Sequence, residues 1–221
     1  MRLRVMAMAL CALGVQAGAE QATCPVAADT WLEFPESGRP KRGQTAQESH
    51  GAEAQLVIRG RAAFALLRFD LTAAKGMTVS RATLRVHRAA DPTPLHTVGL
   101  STVSGSGEWS EGAASFLIAR EGRGAWSYPG SDVSDVTFGQ GGSLYSYARV
   151  RDAGEGWHEA DVPPAMVHAL LAGDQYGLML TDEKGQTQTR HVLSSREGSH
   201  PPVLVVEGTR SDRAAPGRAR A

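Results

Sequence analysis

The segment AAFALLRFDL, residues 62–71, carries an apolar side chain at every second position from residue 63 onward. These positions are Ala63, Ala65, Leu67, Phe69 and Leu71. Arg68 and Asp70 fall between them and belong to the opposite face. Because successive side chains of a β-strand point to opposite sides, this alternation predicts a strand with one buried face and one polar face.

Similar signals recur along most of the chain. Ala82–Val86 alternates apolar and polar residues in the same way. Further strand candidates are Gln55–Ile58, Val98–Val103, Gly177–Leu180, His191–Ser194 and Val203–Val206. Gly and Pro turn signals such as Lys75-Gly76 and Asp91-Pro92 separate them. Many short strands spaced by turns predict an all-β fold, an antiparallel β-sandwich. The buried residues predicted from alternation are Leu67, Phe69, Leu84, Val86, Leu178, Leu180 and Val205.

One short helix is predicted near residue 165. Asp161 is suited to cap it, Pro163 to occupy its first turn, and Gly173 to end it in the left-handed conformation. Met166, Leu170 and Leu171 form an apolar stripe on this segment. The helix is therefore expected to be a lid on an otherwise β structure.

The two ends of the chain differ from its body. Residues 1–19 combine Arg2 and Arg4, an apolar run over Val5–Val15 and small residues before Glu20, which is the layout of a secretory signal peptide. Residues 209–221 are rich in Ala, Arg, Pro and Gly and are predicted to be a disordered basic tail. The sequence thus predicts one β-sandwich domain, residues 20–208, that is secreted or held in the periplasm or at the cell surface.

Composition limits the partners of this domain. The chain has 23 basic and 23 acidic residues, and without the six bases and two acids of its ends the body keeps 17 bases and 21 acids. This mildly acidic body argues against nucleic acid as a partner. No later apolar run is long enough to span a membrane. Cys24 is the one cysteine left after signal removal, so an internal disulfide is excluded.

Motifs for catalysis are absent from the sequence. It contains no GxSxG, no HExxH, no Walker loop and no GxGxxG that opens a helix, and its histidines show no metal-ligand spacing. We therefore predict a protein that is not an enzyme, without catalytic residues, metal ligands or a cofactor. One alternative stays open, because Asp29, Asp70 and Glu197 could share a structural Ca²⁺. Capping and ion pairing with Arg68 or Arg196 is the preferred interpretation of these carboxylates.

Aromatic residues concentrate in the Gly-rich segment Ser104–Gly156, which we interpret as a long insertion between strands. Trp126 and Tyr128 lie in a loop flanked by Gly and Pro and are expected to be exposed. Tyr147 and Arg149 alternate along one predicted strand face. Aromatic faces suit the C–H surfaces of sugars, and Arg suits uronate carboxylates. We therefore predict that Trp126, Tyr128, Tyr147 and Arg149 form a carbohydrate-binding site.

Nine short motifs, in order along the chain, resemble those of the DNRLRE domain family, which overlaps carbohydrate-binding module family 96. They cover about residues 27 to 207. The motifs are Ala28-Asp29-Thr30, Leu67–Leu71, Ser80–Val86, Glu108–Gly112, Trp126–Asp132, Trp157–Val162, Gly177–Leu180, Ser195–Glu197 and Pro202–Val206. The sequence departs from the family pattern at Pro163, where the family has Thr, and at Ser131, where Gly is usual.

The resemblance implies a jelly-roll β-sandwich, usually attached to or exported beside polysaccharide-degrading enzymes. Some members of the family bind anionic polysaccharides such as alginate, and others are adhesin or wall-protein spacers. Two functions follow as hypotheses. The first is an exported, non-catalytic module that binds a polysaccharide outside the cell. The second is a structural or adhesive envelope module with envelope proteins as partners and without sugar binding.

Exposure of the aromatic side chains separates these two hypotheses. At least two coplanar exposed rings beside Arg or Lys would favour sugar binding. Burial of Trp126, Tyr128, Tyr145 and Tyr147 together would favour the structural module. Trp109 and Trp157, which lie in motifs at strand ends, are expected to be core anchors. 

Overall fold

The predicted strands form in a computed structural model of the chain, which describes residues 19–34, 48–60, 62–89, 95–122, 124–182 and 189–210. Its strands are β1 Glu20–Glu33, β2 Gln55–Ile58, β3 Ala63–Phe69, β4 Met77–His87, β5 Thr97–Ser104, β6 Tyr145–Gly154, β7 Trp157–Asp161, β8 Gln175–Thr181, β9 His191–Ser194 and β10 Val203–Arg210. Helix α1 is Pro164–Ala172, and short 3₁₀ turns lie at Thr72–Ala74 and Val133–Val136. The prediction of an all-β antiparallel fold with one short helix is confirmed.

Eight strands close into an antiparallel barrel in the order β1-β10-β4-β7-β6-β5-β8-β3. The pairing is nested, because β1 pairs with β10, β3 with β8, β4 with β7 and β5 with β6. β1 and β6 each change partner halfway along, from β10 to β3 and from β5 to β7. Strands β2 and β9 form a separate two-stranded sheet. The barrel wall therefore has two halves, joined by β1 and β6.

Strand β3 is buried on both faces. Leu67 belongs to the apolar cluster inside the barrel, and its neighbour Leu66 belongs to a second cluster on the outer face of the wall. Both side chains are 0% exposed. Much of this outer cluster comes from the segment between β5 and β6, through Trp109, Phe116, Trp126, Val133 and Val136. The expectation of one buried and one polar face is therefore wrong for β3, because a second layer of chain covers the polar side.

The insertion is shorter than predicted. It extends from the end of β5 at Ser104 to the start of β6 at Tyr145, and its described residues form no strand, whereas the prediction extended it to Gly156. Residues 145–154 form β6, and β7 follows at Trp157. The alternation of Tyr145 and Tyr147 was the strand signal in this region.

Most of the predicted core is buried. Leu67, Phe69, Leu84, Val86, Leu178 and Leu180 are all at most 8% exposed. Val205 is only half-buried, and its neighbours Leu204 and Val206 are 0% exposed instead. The prediction was wrong for Val205 because Val203–Val206 is apolar throughout and contains no polar residue that marks the outer face.

Helix α1 ends at Gly173 as predicted, but Pro163 is the residue before the helix, and Pro164 takes the place in the first turn that was predicted for Pro163. Gly173 has a φ of 80°, and its N–H donates to the carbonyls of Ala169 and Leu170. No side chain caps the N-terminus, so the predicted cap at Asp161 is wrong. Asp161 ends β7, where Arg151 donates two hydrogen bonds to its carboxylate.

Several predictions concern residues outside the described ranges. Residues 1–18 of the predicted signal peptide lie there, as do residues 211–221 of the predicted tail. Thr209 and Arg210, which were predicted to belong to the tail, form the end of β10 instead, and Arg210 forms a 3.2 Å ion pair with Glu20. None of the helices in the described ranges has the length and apolar character needed to cross a membrane.

Substitution on either face of β3 is expected to destabilise the protein. Leu66→Ala and Leu67→Ala should each lower the free energy of unfolding by about 2–5 kcal/mol, because each leaves a cavity in a fully buried cluster. Urea-induced unfolding measures both values. Leu144→Ala, at a side chain 37% exposed, is the control and should cost about 1 kcal/mol or less. A small loss for Leu66→Ala alone would contradict the outer cluster.

The buried His158 on β7 is expected to make the stability of the protein depend on pH. It is 4% exposed, and neither ring nitrogen has a hydrogen-bond partner among the described residues. Burial, followed by the charge of Arg88, lowers the pKa of His158 below the ordinary 6.5. The unfolded chain therefore binds a proton more readily than the folded chain. Stability from neutral His158 is fully present above pH 6.5 and is lost as pH falls through the lowered folded pKa.

Wild type should lose more stability than His158→Leu when the pH is lowered from about 7.5 to about 5. Thermal or urea unfolding at each pH measures the difference. His168→Gln removes an exposed histidine of α1 and serves as the control, with a pH dependence like that of wild type. Parallel pH profiles for wild type and His158→Leu would show that another group is responsible.

Candidate functional site

An open groove lies where β7 ends between its two longer neighbours. The pairing of β7 with β4 stops at Asp161 opposite Thr83, and its pairing with β6 covers only the second half of that strand. The chain then continues as Val162-Pro163-Pro164 into α1. Proline has no backbone N–H to donate to a sheet, so Pro163 and Pro164 cannot prolong β7. The result is a groove of about 620 Å³.

The groove is lined mainly by β4, β6 and the end of β7. Its residues are Ser80, Arg81, Ala82, Tyr147, Ala148, Arg149, Arg151, Asp161, Val162, Pro163 and Pro164. Three arginines and one aspartate give the lining a formal charge of two positive units. It is therefore a basic site on a mildly acidic protein body.

Two of the three groove arginines are paired. Arg151 donates to both carboxylate oxygens of Asp161 at 2.8 and 2.9 Å, and Arg81 lies 3.7 Å from the same carboxylate. The hydrogen bonds from Arg151 hold the pKa of Asp161 below its ordinary value. Arg149 is exposed and makes no side-chain hydrogen bond or ion pair with another described residue. Its guanidinium is the groove cation available to a ligand.

Tyr147 provides the aromatic surface of the groove. It is 60% exposed and meets Tyr145 edge-on, with 5.2 Å between ring centroids and 71° between ring planes. The ring centroid of Tyr145 in turn lies 5.9 Å from that of Phe138. The two tyrosines are therefore not the coplanar pair that would make a wide stacking platform, and Tyr147 offers a single exposed ring.

Tyr128 lies on the insertion and does not line the groove. It is 56% exposed, and its hydroxyl donates to Asp135 Oδ1 at 2.9 Å. This hydrogen bond raises the pKa of the Tyr128 phenol, and Asp132 adds to the rise. The neighbouring carboxylates make this part of the surface unfavourable for an anionic sugar.

The prediction that Trp126 is exposed is wrong. Its side chain is 0% exposed, and its indole N–H donates to the carbonyl of Ser115 at 3.0 Å. Trp109, the predicted core anchor, is 2% exposed and donates to the carbonyl of Tyr176 at 2.8 Å. Trp157 is only half-buried. The Trp126 side chain packs against the outer face of the barrel wall, because the apolar residues of that face would otherwise be exposed to water.

The carboxylates considered for Ca²⁺ are only partly together. Asp70 is exposed and accepts hydrogen bonds from the amide and hydroxyl of Thr72, as a turn residue does. Asp29 and Glu197 come together, and Glu111 takes the third place. The pKa of Asp29 is raised to about 7, and burial is the largest cause. The charges of the nearby Glu197 and Glu111 also raise this pKa, whereas a hydrogen bond from the Arg196 amide lowers it.

Sequence analysis missed part of the groove and one carboxylate. Arg151 continues the same alternation that marked Tyr147 and Arg149, so one further step along that face would have found it. Arg81 lies across the gap on β4, and only the barrel closure brings it near. Glu111 belongs to the motif Glu108–Gly112, yet nothing in the sequence places it beside Asp29.

No protein-family model matches this chain, and no curated protein matches it either.

The different positions of Trp126 and Tyr128 predict different mutational effects. Trp126→Ala should lower the free energy of unfolding by about 3–5 kcal/mol, because it leaves a large cavity in the outer cluster. Tyr128→Ala should cost about 1 kcal/mol or less, because this ring is exposed. Chemical denaturation of both variants measures the difference. Equal and small losses would contradict the burial of Trp126.

Proposed function

We propose that this protein is an exported, non-catalytic module that binds an anionic polysaccharide in the groove beside the end of β7. The observation that carries the proposal is the presence of Tyr147 and Arg149 on one groove wall. An exposed aromatic ring and an uncompensated guanidinium lie together there. This pairing matches a sugar ring that carries a carboxylate.

The chemistry of the groove suits a uronate. The Tyr147 ring can pack against the C–H face of a sugar, and the Arg149 guanidinium can donate two parallel hydrogen bonds to a carboxylate. The positive charge of the lining adds attraction for an acidic chain. Because the groove is open to solvent, an internal unit of a long polysaccharide can lie in it without a chain end.

The state of Asp161 supports a binding role over a hydrolytic one. Glycoside hydrolysis by the common mechanism uses a pair of carboxyl groups, one of them an acid with a raised pKa. Asp161 is the carboxylate among the residues that line the groove, and Arg151 lowers its pKa. A carboxylate held ionised in this way is a poor proton donor.

The proposed architecture is a jelly roll. In a jelly roll, a long hairpin is rolled up so that its outermost strands pair with each other, as do each of the inner pairs. The nested pairing of the eight barrel strands has this pattern and supports the resemblance to the DNRLRE and family 96 modules. Export is proposed from the signal-peptide layout of residues 1–19 in the sequence.

The alternative is a structural or adhesive envelope module that binds envelope proteins and no sugar. One observation favours it: the insertion aromatics Trp109 and Trp126 are used for packing and not for a surface platform. Direct binding measurements distinguish the two functions.

Wild-type protein should bind alginate with a dissociation constant of roughly 1 μM–1 mM, the range of a shallow polar site. Arg149→Ala should weaken this binding by roughly tenfold, because a charge-assisted hydrogen bond is lost. Tyr147→Ala should weaken binding to alginate and to a neutral glucan alike. Calorimetry at about 0.05 M and about 0.5 M salt should show weaker alginate binding at high salt, where charges are screened.

Tyr128→Ala is the matched control, since it removes an equally exposed tyrosine outside the groove. It should bind as wild type does. Unchanged alginate binding by folded Tyr147→Ala and Arg149→Ala variants would place the site elsewhere. Failure of wild type to bind alginate, pectin or a neutral glucan would favour the envelope module.

A further inference from the structure

Three carboxylates from distant parts of the chain converge beside strand β1. Asp29 belongs to β1, Glu111 to the insertion, and Glu197 to the connection between β9 and β10. One carboxylate oxygen from each lies within 4.8 Å of the other two. Since like charges repel, such a cluster requires something that holds it together.

Backbone hydrogen bonds fix part of the cluster. The Asp29 amide donates to Glu111 Oε1 at 2.8 Å, and the Arg196 amide donates to Asp29 Oδ2 at 2.7 Å. These bonds position two of the carboxylates independently of any ion. The arrangement is thus preorganised by β1 and by the turn after β9.

One oxygen in the cluster lacks a partner. Asp29 is 1% exposed, and its Oδ1 has no hydrogen bond within the described residues. A buried carboxylate oxygen without a partner is unfavourable, and most buried polar atoms in proteins are satisfied. This buried oxygen is therefore available to coordinate a cation.

Arg196 neutralises the cluster only in part. Its guanidinium donates to both oxygens of Glu111, at 3.1 and 2.7 Å, and pairs with Glu197 at 2.6 Å. Its bond to Asp29 comes from the backbone amide alone. Three carboxylates against one guanidinium leave two negative charges when all are ionised, which matches one divalent cation.

We propose that Asp29, Glu111 and Glu197 bind a Ca²⁺ ion, with water completing the coordination. Two oxygens bound to one Ca²⁺ at about 2.3–2.6 Å are at most about 5 Å apart, and the oxygen separations of this cluster fall within that limit. An all-oxygen ligand set selects hard cations. Ca²⁺ tolerates irregular geometry, whereas Mg²⁺ requires a near-ideal octahedron.

The ion would link three segments that are far apart in the sequence. It would connect β1 to the insertion through Glu111, and both of them to the β9–β10 connection through Glu197. Because the insertion supplies the outer cover of β3, Ca²⁺ is expected to stabilise that cover. This role is independent of the groove and of the proposed polysaccharide binding.

The test uses the purified chain after removal of divalent ions with a chelator. Ca²⁺ titrated by calorimetry should bind with a dissociation constant of roughly 10–1000 μM, as in extracellular calcium modules and calcium sensors. At saturating Ca²⁺ the melting temperature should rise by roughly 5–10 °C. Mg²⁺ at the same concentration should produce a much smaller rise. Absence of heat and of a temperature shift with Ca²⁺ would overturn the proposal, and so would an equal effect of Mg²⁺.

Asp29→Asn should abolish the calcium-dependent rise in melting temperature, and Glu197→Gln should weaken Ca²⁺ binding at least tenfold. Asp70→Asn is the matched control, because it makes the same change at an exposed turn carboxylate and should bind Ca²⁺ as wild type does. If Asp29→Asn does not fold, Glu197→Gln decides, since Glu197 is exposed and its substitution should leave the fold intact. Normal Ca²⁺ binding by a folded Glu197→Gln variant would place the ion elsewhere and overturn the proposal.

Discussion

Burial of both faces of β3 is the constraint on which the rest of the structure depends. A sheet with water on one side needs only one apolar face, but Leu66 and Phe64 place a second apolar surface outside the barrel. Leaving this surface in water would be unfavourable, so the chain must supply a cover. The cover is the segment between β5 and β6, whose tryptophans pack on the wall with their indole N–H groups bonded to carbonyls.

This cover decides where the chemically interesting residues lie. By folding over β3 and β8, the insertion removes Trp126 from solvent and carries Glu111 to Asp29 on the neighbouring strand β1. The Gly-rich segment that the sequence predicted to be a binding loop is thus mainly a packing layer, and its Glu111 contacts Asp29. The polar surface left for recognition lies on the other half of the barrel.

On that other half, the chain interrupts its own sheet. Pro163 and Pro164 stop β7 and send the chain into α1, so that β4 and β6 remain separated beyond Asp161. The outward side chains of the two strands, among them Arg81, Tyr147 and Arg149, border the gap. One half of the barrel is therefore doubly covered, and the other contains the groove.

Local patterns in the sequence predicted the all-β class, most strand positions, the end of α1 at Gly173 and six of the seven proposed core residues. They could do so because alternation and turn chemistry act over only a few residues. They also marked Tyr147 and Arg149 as one outward face. Tertiary structure alone decided the burial of Trp126, the position of Arg81 across the groove and the meeting of Glu111 with Asp29. Those outcomes depend on which strands pair around the closed barrel and on which face of the wall a second layer covers. Asp29 and Glu111 are 82 positions apart, and a contact over that separation produces no pattern in the sequence near either residue.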